Sequence, residues 1–196
     1  MKHKHTRGKT NANSTSSHES ASEVPSSRNL DRARRYIADR HYQQAIDLLN
    51  TSNQDSHARN LIGVCLMRVG NFGEAARVLR KLVLQPGATW MRRDIPNVYK
   101  SNFATALLLD GHPAGCLEML AELNDPSSPA GQRLRAAIRQ WEKTLSFSAW
   151  LNWRFGRIEP SGFPVQLDFE PGEFETQYSP GEPPQTPPTT SPRNAA

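Results

Sequence analysis

Two cysteines in 196 residues are too few for a disulfide framework, and neither Cys65 nor Cys116 has companions at metal-ligand spacing. Each lies within an apolar run and reads as a small, reduced core residue. No stretch approaches the roughly 18 consecutive apolar residues of a membrane-spanning helix. The charged start Met1-Lys2-His3-Lys4-His5 leads into no apolar segment of the kind a secretory signal requires. Both absences point to a reducing cytoplasm, without membrane insertion. Catalytic signatures are missing too. There is no glycine-rich phosphate loop with a lysine, no nucleophile elbow and no paired acidic motif. His41, His57 and His112 stand near turns or helix starts without a partner at i+4, so they make poor metal ligands or general bases. The expectation is a protein that is not an enzyme, with no catalytic residue, metal or cofactor.

Apolar side chains are also scarce, at 36% of the chain with a mean hydropathy of −0.67. The shortage is concentrated at the ends. Residues 1–29 mix Lys, His, Ser, Asn and Thr without periodicity and read as a disordered basic tail. His3 and His5 there offer weak metal binding at most. Residues 179–196 alternate Pro with Gly, Thr, Ser and Gln, a Pro-rich disordered tail. Within it Pro183-Pro184-Gln185-Thr186-Pro187-Pro188 has the form of an SH3-type ligand, a string also common in ordinary linkers. A core must come from the middle, which is long enough to bury one. Charge divides the same way. Residues 30–155 carry 17 Lys and Arg against 11 Asp and Glu, whereas residues 156–196 carry 2 against 6. A +6 body beside a −4 tail invites intramolecular or partner pairing, or serves solubility alone.

In the middle the apolar period is helical. Leu61, Ile62, Cys65, Leu66 and Val69 form one stripe, stopped by Gly70-Asn71. Phe72, Ala75, Ala76, Leu79, Leu82 and Val83 form the next, closed by Pro86-Gly87. Two such helices on a short turn make an antiparallel hairpin. The grammar recurs on both sides. Upstream, Ala33, Tyr36 and Ile37 lead through His41 to Tyr42, Ala45, Ile46 and Leu49. Downstream, Phe103, Ala104, Leu107 and Leu108 lead through Gly111 to Pro113, Cys116, Leu117 and Leu120. Pro113 suits a first helical turn, where no N–H is needed.

Shifting the first hairpin by 30 residues aligns Ala33 with Gly63, Tyr36 with Leu66, Ala45 with Ala75 and Leu49 with Leu79. A further shift of 41 aligns Gly63 with Ala104, Gly70 with Gly111 and Ala75 with Cys116. Each unit thus carries a small residue in both helices, 12 positions apart, marking where the pair approaches closest. The pattern resembles the tetratricopeptide repeat family. Asn60-Leu61-Ile62-Gly63 with Gly70, Phe72, Glu74-Ala75 and Pro86 looks like a whole unit; Asn102 to Leu107 with Gly111 opens another, and Ala33, Tyr36, Tyr42 and Ala45 fit a third. The large aromatic that the family places early in the first helix is replaced here by Asn29, Arg59 and Lys100, and the first turn lacks its glycine. The resulting expectation is an all-α, short α-α superhelix: three helical hairpins over 30–126, then a capping helix and an aromatic-rich helix over 127–158. Leu134, Ala137, Ile138, Trp141 and Leu145 mark the cap, which the exposed end of a repeat stack requires.

The resemblance implies a concave groove lined by the first helix of each pair. By position it presents Arg34 and Ile37, then Asn60, Val64, Met67 and Arg68, then Asn102, Thr105 and Leu108. That mixture suits an extended peptide, with Asn for its backbone, Arg for carboxylates and aliphatic groups for a side chain. The expected function is therefore an interaction scaffold holding a protein or peptide partner in this groove. Alternatively these residues only solvate a scaffold face. Around Trp150, the run Phe147, Leu151, Trp153 and Phe155 with Arg154 and Arg157 reads as a lid on the stack. It also suits an anionic surface, a membrane interface or nucleic acid, which gives a second functional class, with nucleic acid the less expected partner.

Residues 159–178 form an acidic-aromatic arm. Phe163 to Phe169 alternates apolar and polar as an extended strand does, apart from Pro164, and runs into Glu170-Pro171-Gly172-Glu173-Phe174. Such a segment complements a basic groove. The expectation is that it occupies the concave face of its own chain or of a neighbouring copy, gating access, the plain alternative being a strap over the outer surface.

Overall fold

The structure, a computed structural model, describes residues 23–51, 55–123, 125, 127–160 and 162–174. The basic tail before residue 23, with His3 and His5, and the Pro-rich tail with Pro183 to Pro188 lie outside the described residues. Among the described residues eight helices follow one another: α1 Glu23–Ala38, α2 Tyr42–Asn50, α3 Ser56–Arg68, α4 Phe72–Val83, α5 Asn97–Leu109, α6 Pro113–Ala121, α7 Pro129–Glu142 and α8 Phe147–Gly156. Among the described residues there is no β-strand, only an isolated antiparallel bridge between Leu84 and Met91. The fold is all-α.

The first six helices pair as α1/α2, α3/α4 and α5/α6, and α2 packs on α3 and α4 on α5, so the hairpins stack in series. The six small residues expected at the pair contacts are all buried. At Gly63 the reason is visible: an added Cβ would lie 2.5 Å from Leu79 Cγ on α4. The apolar stripe of α3 ends at Leu66, since Val69 beyond the helix is exposed.

One turn geometry closes all three hairpins. The N–H of His41, Asn71 and His112 donates to the carbonyl of Tyr36, Leu66 and Leu107, at 2.7, 2.9 and 2.8 Å. The residue before each donor is left-handed: Arg40 at φ 59°, Gly70 at 82° and Gly111 at 85°. This is the helix-ending motif that glycine serves best. The first turn reaches it with an arginine, against the steric cost of a Cβ at positive φ. Arg40→Gly is therefore expected to stabilise the chain by about 0.5–1 kcal/mol, read as a raised midpoint in urea with an unchanged slope.

Two departures from the sequence expectation concern boundaries. α1 starts at Glu23 rather than at 30. Pro25 falls in its first turn, where a missing N–H breaks nothing, so the polar run Ser26-Ser27-Arg28-Asn29 continues into the helix. The second departure fills the wide gap between the second and third hairpins. Gln85 N–H bonds Trp90 O at 3.2 Å and Arg92 N–H bonds Val83 O at 2.9 Å, with Gly87 at φ 77°. The insertion is thus a small folded loop. Glu122 fixes it by accepting Met91 N–H at 2.8 Å.

α7 packs on α5 and α6 as the cap of the stack, burying Gly131, Leu134, Ile138 and Trp141. α8 docks through one residue: Trp153 is fully buried, edge-on to Trp141 at 5.3 Å, and its Nε1–H donates to Glu142 Oε1 at 2.7 Å. As a lid, α8 rests on that single anchor.

After α8 the chain turns back. Glu159 accepts the Ala114 N–H at the start of α6, at 3.0 Å. From Gly162 to Glu170 alternate residues face the helices: Phe163, Val165, Leu167 and Phe169 are at least half-buried, and those between them are exposed. The period of two expected of a strand is present without a strand partner. Instead the arm lies on helices. Trp141 Nε1–H holds the Phe163 carbonyl at 2.7 Å.

Candidate functional site

α3 and α5 are buried on every side, from Asn60 to Met67 and from Tyr99 to Ala106. A helix in that position is ordinarily apolar all round. These two are not. The buried polar residues of the described chain, Asn60, Lys100, Ser101, Asn102 and Thr105, all belong to them. Each first helix therefore has one face against its own partner helix and a polar face closed by something else.

What closes it is the arm. Asn102 on α5 takes the backbone of Glu173 at both ends: its Oδ1 accepts the Glu173 N–H at 2.8 Å and its Nδ2 donates to the Glu173 carbonyl at 2.9 Å. The second Nδ2 hydrogen goes to Asn60 Oδ1 on α3, at 2.9 Å. Two asparagines thus form one fixed amide that pairs with a peptide unit much as a neighbouring strand would. A side-chain amide reads backbone, so this contact imposes no side chain at 173.

The adjoining position is selective. Gly172 has φ 78°, and a Cβ built there would meet Met67 Cε at 2.7 Å and Val64 Cγ1 at 2.9 Å. Its carbonyl accepts from Arg68 Nη2 at 3.0 Å. Only a glycine meets both the backbone and the packing demand.

Charge fixes the rest. Arg68, its side chain 9% exposed, pairs through Nη1 with Glu170, and Arg40 stands 3.7 Å from the same carboxylate. Arg133, reaching in from α7, pairs with Glu173 and lies 5.1 Å from the centroid of the Phe169 ring. Arg68 also lies over Phe174, at 5.7 Å. Glu170, Glu173, Phe169 and Phe174 are therefore each met by a guanidinium, the cation best suited to both acids and aromatic rings.

Arg68, by hydrogen bond and by charge, and then Arg40 hold the Glu170 carboxyl below the usual range for a glutamate. A free arm has the ordinary value, near ~4.3. The ionised contact therefore favours docking above that value and is lost as pH falls through the depressed one. Arm amides should keep their protection from hydrogen exchange between pH 8 and 5 and lose part of it below about pH 4. In Glu170→Gln, docking should be weaker at neutral pH and change less across that window.

The groove residues expected from sequence divide into two groups. Asn60, Val64, Met67, Arg68 and Asn102 meet the arm directly or through one another. Thr105 lies beside it, lining the same narrow cleft as Phe169, Gly172 and Glu173, although its hydroxyl bonds Ser101 O at 2.8 Å. Arg34 and Ile37 on α1 lie apart from the arm's contacts. Arg34 instead bonds Asp31 and stands 3.2 Å from His57 Nε2, whose other ring nitrogen is 3.4 Å from Tyr99 Oη. Leu108 is core. Arg133 and Arg40 belong to the site without having been expected there. The arm's acidity calls for cations, but only the placement of α7 selects Arg133 from Arg133, Arg135 and Arg139.

Cys65 and Cys116 are free thiols, and burial pushes both up to about 12. They stay protonated at neutral pH and make poor nucleophiles or ligands. Among the described residues no three His, Cys, Asp or Glu side chains gather as a metal would need, and no helix is long and apolar enough to cross a membrane. His112 lies beside Glu159 at 3.1 Å, on the outer surface. Comparison with protein-family models, with curated proteins and with solved structures yields no match.

Proposed function

We propose that the chain is a non-enzymatic, cytoplasmic scaffold of the tetratricopeptide-repeat type that captures an extended segment of a partner protein between α3 and α5, with its own arm as gate. The observation that carries this reading is the Asn102 amide gripping both backbone groups of Glu173. It is a contact made to a peptide as a peptide, on the polar face that α3 and α5 bury. The first hairpin, whose Arg34 is engaged with Asp31 and His57, acts as support for α3. Panning random 12-residue peptides against the Gly172→Ala chain, in which the gate is loosened, tests the reading. A recurring peptide family should emerge, and it should be lost when Asn102→Ala is added. Enrichment indifferent to Asn102 would move the binding site elsewhere.

A second reading rests on α8. Phe147, Trp150, Leu151, Phe155 and Ile158 are exposed, Phe147 and Phe155 by 77% and 79%, with Arg154 and Arg157 among them and no acid from 147 to 158. This composition supports a peripheral contact with an anionic surface. Co-sedimentation with phosphatidylserine vesicles that disappears in Phe147→Ser/Phe155→Ser would favour it. Equal sedimentation of the two chains would remove it.

A further inference from the structure

Among the described residues the arm is the segment that fills the groove, and its contacts carry the groove's preferences. We infer that the groove's partner segment, like the arm, is an internal acidic stretch of the order acid, any residue, glycine, acid, aromatic, which competes with Glu170 to Phe174 for the same seat. The inference rests on the peptide-capture reading and adds the ligand's chemistry.

Each position follows from a named contact. Arg68, nearly buried, and the exposed Arg40 share the Glu170 carboxylate, which calls for an acid two residues before the glycine. Val64 and Met67 leave no room for a Cβ at the glycine, and the left-handed turn there suits no other residue. Arg133 calls for an acid directly after it, and the face of Arg68 for an aromatic ring one further on. The Asn102 amide needs both N–H and C=O of one residue, and the chain runs into this clamp from Phe169 and on to Phe174. The segment therefore passes through the groove. A free chain end plays no part in these contacts.

The arm itself is an imperfect occupant. Asn60 Nδ2 and Arg68 Nε, on side chains that hold the arm through Asn102 and directly, are buried with no acceptor among the described residues. A carboxylate that met Arg68 side-on would take Nε and a terminal nitrogen together, the bidentate arrangement in which arginine binds most strongly. Donors left unmet in a buried site reduce the net gain from docking. An incoming segment that supplies those acceptors displaces the arm while keeping its pattern. The arm is thereby a placeholder: it covers the apolar and polar floor of the groove until a better-matched segment arrives.

The test uses the whole chain with a weakened gate and, as probe, a fluorescein-labelled peptide of residues 166–177. Glu170→Arg reverses an exposed charge and leaves the body intact; Gly172→Ala serves as a second, independent release. Hydrogen exchange over residues 163–174 establishes that the arm is freed in either. The labelled peptide should bind both variants at least tenfold more tightly than the unaltered chain. Alanine at its glycine should abolish binding, and glutamine at either glutamate should weaken it about fivefold or more. Binding that tolerates alanine and glutamine would overturn the motif and leave peptide capture standing. With the arm freed, failure of the probe while random peptides are still captured would overturn the motif alone. Failure of both would overturn the capture reading as well.

Discussion

Gly172→Ala is expected to free the arm while leaving the helices in place. Two costs coincide at this position. An alanine at φ 78° loses about 1–2 kcal/mol relative to an allowed backbone. The added methyl also presses on Val64, a stiff β-branched side chain fully buried in α3, and on the tip of Met67. Overpacking of this kind costs about 1–3 kcal/mol. Met67 can yield at its flexible end, but Val64 cannot without moving α3. A combined loss of about 2 kcal/mol or more lowers the ratio of docked to undocked arm by roughly 30-fold. Protease cleavage between residues 159 and 174 should accelerate accordingly, and far-ultraviolet circular dichroism should be unchanged because the arm contributes no helix. Unaltered cleavage would mean that the seat is looser than its geometry implies.

Asn102→Ala attacks the same contact from the other side, with a different signature. It removes three hydrogen bonds at once, to Asn60 and to both backbone groups of Glu173. The abandoned partners stay buried, which is the costly case, at about 1–3 kcal/mol for each unmet group. The arm relieves part of this by leaving and hydrating its own backbone. Asn60, at 0% exposure, then regains water only where the arm has lifted. The net expectation is a loss of about 2–4 kcal/mol. Thermal unfolding should begin roughly 5–15 °C lower for a domain of this size. Combining Asn102→Ala with Gly172→Ala should cost much less than the sum, because once the arm is free the second change has little left to break.

The helices were legible because their cause is local. Apolar residues at helical spacing, Pro113 in a first turn and glycine at 70 and 111 act over a few residues, and all reappear as elements, starts and stops. The small residues of the three hairpins were legible for the same reason: all six are buried, and Gly63 lies against Leu79 of its partner helix. Arg40 shows the limit of that logic. The motif formed without its glycine because the 6→1 bond of His41 and the packing of α2 outweigh the strain of one residue.

The site was legible in part. Asn60, Arg68 and Asn102 drew attention through the repeat resemblance, by their position in the first helices, with Asn suited to a peptide backbone and Arg to carboxylates. The arm drew it as apolar residues in an acidic stretch that otherwise had no place to go. Arg34, Ile37 and Leu108 were assigned by repeat position; instead Arg34 engages Asp31 and His57, Leu108 is core, and the first hairpin meets the arm through Arg40 in its turn. Arg133 was beyond reach, since its role depends on the angle at which α7 caps the stack. Nothing in a helix's own sequence records that angle. Trp153 is similar: four large apolar neighbours compete with it on α8, and only the docking against Trp141 decides which one is buried.

The seat of the arm can be read at a single proton. The Glu173 amide has one partner, the side-chain oxygen of Asn102, and belongs to no helix or sheet that would otherwise slow its exchange. Its hydrogen-exchange rate in the unaltered chain should be slowed at least a hundredfold against an unstructured peptide, a factor worth roughly 3 kcal/mol, and should approach the peptide's rate in Asn102→Ala. Free exchange of that amide in the unaltered chain would contradict the account of a groove closed by its own arm.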